Sequence, residues 1–345
     1  MSHRRAALEG CLLGCAVGDS ICLPYEGLAP RRVAKVLRLP LKHRLIFGHG
    51  MVSDDTDHSL FVAQSLARNP VDPDGFARCL AWRLRLWLLC LPAGIGMATL
   101  KSILRLWCGV SSSRSGVFSA GNGAAMRSAI IGVFHSEDDD LRYRFTQASS
   151  AITHSDPKAG FGARAVADLA AAAARNCNQI PVSRLEEILI GAGEGDEWRE
   201  TVQRTVNACR SRKIEEAVTP LGLKRGVSGY VLHTLPVAVA AWHIHFGDFR
   251  TTIETVVKLG GDTDTVAAIA GALAGISCAI EGIPDDWIDD IMDYPHSAAY
   301  ISKLAETLDS GQTVDTGFSW LLFPRGILFT LTVLWHALLR ILPPY

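Results

Sequence analysis

The chain has 345 residues, 48% of them apolar and 20% charged, with a formal net charge of −1. That supports one large domain or two ordinary ones, and the balanced charge, with no basic run interleaved by aromatics, argues against nucleic-acid binding. Nine cysteines stand singly with no CxxC pair, which argues against a Cys-based zinc site or a thioredoxin-type motif and points to a reducing, cytoplasmic compartment.

Helical periodicity begins at residues 6–17 and stops at Gly18-Asp19. Glu9 and the early glycines spoil a signal-peptide core behind the basic start. Pro24-Tyr25-Glu26-Gly27 reads as a loop, where Glu26 is either merely exposed or folds back over a site. A short basic helix follows at 30–39. Ser53-Asp54-Asp55-Thr56-Asp57, after Gly48-His49-Gly50, opens a helix to about Arg68, which Asn69-Pro70 ends. Residues 74–91 alternate apolar residues with arginines and predict a surface-lying amphipathic helix. A Pro92–Gly96 turn and a helix over 97–107 come next.

A loop of small residues, 109–123, ends in Ser119-Ala120-Gly121-Asn122-Gly123 and leads into the run 124–134. A glycine-rich loop that opens a helix presents N–H groups suited to a diphosphate; the loop lacks the GK[ST] of a P-loop, and a close-packed turn is the other reading. Helices are predicted over 141–152, 158–175, 185–192, 198–214, 230–245 and 249–259, with Thr153-His154-Ser155-Asp156-Pro157 capping the second and Gly226–Gly229 a flexible turn. A lone His at a helix start, such as His154, is more often structural than catalytic.

Gly260-Gly261-Asp262-Thr263-Asp264-Thr265 then precedes 266–280, small, apolar and uncharged, which predicts a helix buried on most sides. Helices at about 285 and over 298–308 close the main body. Taken alone, either acidic knot reads as a solvated helix cap, although capping explains one of the carboxylates after the double glycine more easily than both. Together, four or more Asp with interleaved hydroxyls point to a hard divalent cation, because such carboxylates repel one another without one and oxygen-only ligands favour Mg or Mn. No strand-type alternation is present, so the fold class expected is all-α, a compact multi-helix orthogonal bundle. The tail 318–342 is strongly apolar, with Arg325 and Arg340 inside it. Its uncharged stretch is short of a membrane span, so a helix docked on the domain, on a partner or at a membrane surface is expected, with snorkelling arginines leaving an anchor open.

The pieces Gly14-Cys15-Ala16-Val17-Gly18-Asp19 with Tyr25-Glu26, Ser53-Asp54-Asp55-Thr56, Gly94-Ile95-Gly96, Gly121 to Arg127, Thr153-His154 and Gly260 to Thr265 occur in this order. In that order they resemble the ADP-ribosylglycohydrolase family, which includes the dinitrogenase reductase-activating glycohydrolases. The resemblance covers about residues 6–292. It implies a catalytic domain over 1–310, an added tail over 311–345, and two Mg or Mn ions held by Ser53, Asp54, Asp55, Asp262, Asp264 and Thr265. Ser53 stands where many members have Thr. The implied substrate is an ADP-ribosylated protein or a small ADP-ribose conjugate, with Gly121, Asn122, Gly123 and His154 lining its pocket. Asp55, Glu26 and Asp54 are the implied catalytic carboxylates for glycosidic hydrolysis. A protein that blocks an ADP-ribosyltransferase toxin and a hydrolase of another phosphate ester are the competing readings.

Overall fold

The structure, a computed structural model, describes residues 2–176, 178–311 and 317–340. Cys177, the joint between the two predicted regions (312–316) and the tail's end (341–345) lie outside the described residues. Among the described residues, β pairing is limited to isolated bridges and the regular structure is helical, as the sequence predicts. Helices α1 (His3–Cys22), α2 (Pro30–Val36), α3 (Asp54–Arg68), α4 (Pro73–Leu89) and α5 (Met97–Trp107) precede the small-residue loop. Beyond it lie α6 (Ala129–Phe134), α7 (Asp139–Thr153), α8 (Pro157–Arg175), α9 (Val182–Ala192), α10 (Asp196–Ser211) and α11 (Glu215–Val218). Then come α12 (Val231–Ile244), α13 (Phe249–Lys258), α14 (Thr263–Cys278), α15 (Asp285–Asp289), α16 (Ala298–Ser310) and α17 (Leu322–Leu339).

The centre is a pair of apolar helices, α1 and α14, buried along nearly their whole lengths. They lie antiparallel, because Gly10, Gly14 and Gly18 face Gly275, Gly271 and Ala267 in reverse order. A Cβ on Gly14 would stand 2.2 Å from the Gly271 carbonyl oxygen, and one on Gly10 would stand 2.1 Å from that of Gly275. Small residues every fourth position let the two backbones touch. The antiparallel sense sets the C-terminal end of α1, with Asp19, against the N-terminal end of α14, with Asp262 and Asp264. Around this pair α3, α6 and α16 pack on α1, while α8, α12 and α13 pack on α14.

Gly14→Ala is expected to lower stability by about 2 kcal/mol in urea denaturation. The added methyl meets backbone, which cannot turn aside, and overpacking of that kind costs ~1–3 kcal/mol or more. The gain of ~1 kcal/mol from replacing a helical glycine does not offset it. A variant as stable as wild type would mean that the two helices separate freely.

One expectation changes here. α4 is not merely surface-lying: Arg83 is buried and donates to Gln64 Oε1, and Trp87 is buried with its indole N–H on Asp57 at 2.9 Å. Periodicity put arginines outside, but Gln64 of α3 satisfies this one inside.

Candidate active site

The double glycine acts as a threading point. Gly260 and Gly261 both have positive φ, 64° and 84°, and a Cβ on Gly261 would lie 2.0 Å from the Val227 carbonyl oxygen. Only glycine passes through such a gap at that φ. Gly261 donates to the Leu28 carbonyl at 2.8 Å and accepts from the Gly27 N–H at 2.7 Å, while the Asp262 N–H donates to the Val227 carbonyl at 2.7 Å. The loop that carries Glu26 and the turn at 226–229 are thereby stitched to either side of the acidic knot.

Asp262 occupies the N-cap position of α14, yet its carboxylate caps nothing. Its Oδ2 accepts instead from the Asn122 side-chain amide at 2.6 Å. Capping therefore does not account for this cluster. In the first cluster the cap of α3 is Ser53, whose hydroxyl accepts from the Asp55 N–H at 3.3 Å, which leaves Asp54 and Asp55 free of that duty.

The two clusters meet. Thr265 donates its hydroxyl to Asp55 Oδ2 at 3.1 Å, and Ser53 donates to the same oxygen at 3.3 Å. Glu26, Asp262 and Asp264 each bring a carboxylate oxygen within 4.8 Å of the others. Ser53, Asp54, Asp262, Asp264, Thr265 and Glu26 line one cleft of about 630 Å³, with Asp55 buried just beneath.

Asp19 is the residue that sequence reasoning left without a role. Its Oδ2 accepts from the Ser53 N–H at 2.8 Å, the Thr56 N–H at 3.2 Å and the Thr56 hydroxyl at 2.5 Å, so α1 holds the first turn of α3 in place. A lone carboxylate closing an otherwise apolar helix is the signal that could have found it. Burial pushes its pKa up to about 6, against the hydrogen bonds from Thr56 and Ser53.

The electrostatics are those of a cation site. Burial, then the neighbouring carboxylates, raise the pKa of Asp54, Asp55 and Asp264 well above the ordinary range; burial also raises Asp262, and burial and Asp262 raise Glu26. Among the described residues Asp54, Asp55, Asp262 and Asp264 have no ion-pair partner. Three buried carboxylate oxygens, Oδ1 of Asp19, Asp55 and Asp264, have no hydrogen-bond partner. Buried acceptors are rarely left so, and an all-oxygen donor set of this density fits a hard divalent cation.

Opposite stands the glycine loop, with Gly121, Asn122, Gly123 and His154 on the cleft wall. The expected loop-to-helix junction is not what forms. Asn122–Ala124 is a 3₁₀ turn and α6 begins only at Ala129; between them the Arg127 guanidinium is buried and pinned to the Gly123 carbonyl (2.7 Å), Ser149 and Thr153. The N–H groups of Gly121 and Asn122 are also taken, by Ser119 Oγ and the Gly229 carbonyl. The N-terminus of α6 is thus displaced from the loop, and the helix start on this side of the cleft is that of α5, at Met97 to Thr99. His154 is buried, shares a 2.8 Å hydrogen bond with Thr153 Oγ1 and packs against Gly121 and Gly123. Burial, then Arg127, lowers its pKa to about 3, so it is neutral.

Three further segments complete the cleft: Gly94 and Gly96 before α5, Arg225 to Gly229, and Phe329 and Val333 of α17. α17 is held by Arg325, which is buried and bonds Asp57 Oδ2 at 3.1 Å and Asp293 Oδ2 at 2.9 Å. At its far end Arg340 donates to the Glu26 and Pro24 carbonyls at 2.9 and 2.7 Å.

The sequence profile of the family described as ADP-ribosylglycohydrolase matches residues 1–316. The chain is similar to an uncharacterized protein of Archaeoglobus fulgidus, with 32% identity over 86% of this chain and 95% of the relative. It is also similar to the ADP-ribosyl-[dinitrogen reductase] glycohydrolase of Rhodospirillum rubrum, with 28% identity over 84% and 90%. A solved structure, titled an ADP-ribosylglycohydrolase-related protein complex, aligns with a TM-score of 0.69 at 26% identity, covering 91% of this chain and all of that one. With its helical fold, its paired acidic clusters and a family match over residues 1–316, the chain belongs to the ADP-ribosylglycohydrolase family.

Proposed function

We propose that this chain is a divalent-cation-dependent hydrolase that releases ADP-ribose from a modified protein side chain or a small acceptor by cleaving the glycosidic bond. The observation that carries this reading is the bridge from Thr265 to Asp55 beside the Glu26, Asp262 and Asp264 carboxylates, which brings two distant acidic clusters to one cleft. A volume of about 630 Å³ is of the size that takes a cofactor-sized ligand.

Ser53, Asp54, Asp55, Asp262, Asp264 and Thr265 would hold two Mg or Mn ions. When bound, the ions would supply positive charge that fixes the ribose hydroxyls. The chain's own groups do the rest. Glu26 stands at the rim, exposed as a residue but with its carboxylate turned toward Asp262 and Asp264. There it faces the positive charge that develops on the ribose as the bond breaks. Asp55 or Glu26 takes the proton of the attacking water, and Asp54 completes the acidic floor. Neutral His154 contributes shape and hydrogen bonding, not a proton. Asn122 is tied through its side chain to Asp262 and Thr234, which couples the position of the loop to that of the ions. The catalytic domain in this reading is 1–310, and α17 adds an apolar wall to it. Eight described cysteines, all free, suit a reducing cytoplasmic setting.

The test is release of ADP-ribose from Arg-linked and Ser-linked ADP-ribosyl peptides with Mg or Mn, then with EDTA. Release that EDTA abolishes and added metal restores is expected from one linkage. Metal-independent release, or none by metal-loaded protein from either peptide or from a small ADP-ribose conjugate, would overturn the proposal.

A further inference from the structure

Helix α17 turns one face to the domain and leaves the other in water. Arg325, Gly326, Phe329 and His336 point inward; a Cβ on Gly326 would stand 1.9 Å from the Cys90 carbonyl oxygen, so the helix is seated closely. The outward stripe, Ile327, Leu328, Leu331, Leu334, Trp335 and Leu338, is 41 to 60% exposed. It carries no charge. Trp320, also 60% exposed, lies before the helix, and the two tryptophans bracket its length. Soluble surfaces rarely expose an apolar patch of this extent without a partner.

Two further apolar groups stand beside this stripe in conformations that side chains rarely adopt. Phe47 is fully exposed at φ 46°, in a turn whose Leu45 and Ile46 pack with Phe329 and Val333. Leu91 is 56% exposed at φ 56°, and its carbonyl accepts from Thr330 Oγ1 at 3.3 Å. Bulky residues held at positive φ and left in water are costly twice over. Alongside runs a cationic strip. Arg31, Lys35, Arg38 and Lys42 are exposed, and no acidic residue occurs between Glu26 and Asp54. The strip abuts the end of α17, where Arg32 donates to the Arg340 carbonyl at 3.1 Å.

We propose that α17 and Phe47 seat this protein on an anionic lipid bilayer, the apolar stripe and both tryptophans in the headgroup boundary and the 31–42 cations against the lipid phosphates. Apolar residues with interfacial tryptophans and flanking cations are what such a surface recognises. The helix lies in the plane of the bilayer and does not span it, because the buried Arg325 pairs with Asp57 and Asp293 hold its other face to the domain. A second copy of the chain is the poorer fit, since self-pairing brings the patch, with its cationic border, onto itself.

The experiment is co-sedimentation of the full chain with vesicles of phosphatidylcholine containing about one-third phosphatidylserine, and with pure phosphatidylcholine. Wild type is expected to sediment with the anionic vesicles and to be released by high salt. Leu331→Asp with Leu334→Asp, both on the outward face, is expected to cut binding at least about tenfold while melting as wild type. Lys35→Glu with Arg38→Glu is expected to weaken it by roughly tenfold or more. Wild type that stays with the supernatant in anionic vesicles would overturn the proposal. So would an aspartate variant that binds as well as wild type. A lipid-free dimer that this variant dissolves, with no vesicle binding, would assign the face to a second copy instead.

Discussion

Asp264→Asn is expected to lower ADP-ribose release by on the order of 10³-fold or more, and at the same time to leave the metal-free protein as stable as wild type or more so. The two effects share one cause. Asp264 is buried, its Oδ1 has no partner, and its neighbours are Glu26, Asp262 and Asp55, so without a cation its charge is a burden on the fold. Removing that charge relieves repulsion in the empty cleft while taking a ligand from the filled one. Wild type is expected to melt higher on addition of Mn or Mg, since a ligand at a hundred times its Kd adds ~2.7 kcal/mol. In Asp264→Asn that rise should shrink or vanish. An active variant, or one with an undiminished rise, would remove Asp264 from the ion site. A variant inactive because it is unfolded would show a melting point below that of metal-free wild type.

Arg325→Met is expected to cost about 3–5 kcal/mol of stability, the usual result of stripping one partner from a buried ion pair. Met keeps much of the bulk, so the loss reads the charge. Two carboxylates would be stranded: Asp57, whose other contacts are His296 Nδ1 at 2.7 Å and the Trp87 indole, and Asp293, which also holds the Val52 N–H at 3.1 Å. Asp57 lies two residues beyond Asp55 on α3, so activity is expected to fall as well. The pH dependence has a definite sense. Burial by itself would raise Asp57, but the Arg325 charge, with His296 and Trp87, outweighs it and holds the pKa at about 2. A carboxylate lowered on folding stabilises fully above its unfolded value, ~4, and loses that contribution as pH falls toward the folded value. The variant loses the charge that holds this value down, so the gap between wild type and Arg325→Met, read by urea denaturation, should narrow as pH falls from the higher Asp57 pKa of the variant toward about 2. A gap under ~1 kcal/mol at neutral pH would show that the triad contributes little.

The helical class and both acidic clusters were legible in the sequence, because period 3.6 repeats through most of the chain and because two Asp-rich knots after glycines are hard to explain by capping alone. The double glycine was legible as a break. Its threading between 27–28 and 227 was not, since the partners lie far away along the chain. Asp19 stood in plain sight at the end of an apolar helix, but its function is to hold backbone 34 residues away. The place of α17 was hidden for a different reason. Its outer face is more apolar than its inner one, which carries Arg325, Thr332 and His336, so the apolar stripe points to the wrong side. Arg325 looked like a flaw in a greasy tail; its partners, Asp57 and Asp293, are 268 and 32 residues distant. The glycine loop reads from the sequence either as an N–H donor or as a close-packed turn, and Arg127, which ties Gly123 to Ser149 and Thr153 of α7, joins residues that the sequence does not show to be neighbours.

The wide separation of the two acidic clusters has a consequence for synthesis. Asp55 and Thr265 are 210 residues apart, and nothing in the first half of the chain can substitute for the second cluster. A chain emerging from the ribosome therefore carries its first carboxylates without those of the second cluster for most of translation. Only after residue 265 has been added and α14 has packed antiparallel along α1 do the two clusters form one cleft. Contacts of such long range form late and slowly. Assembly of the acidic cleft is then among the last events of folding, and a chain cut short before residue 265 has one half of its site with no counterpart.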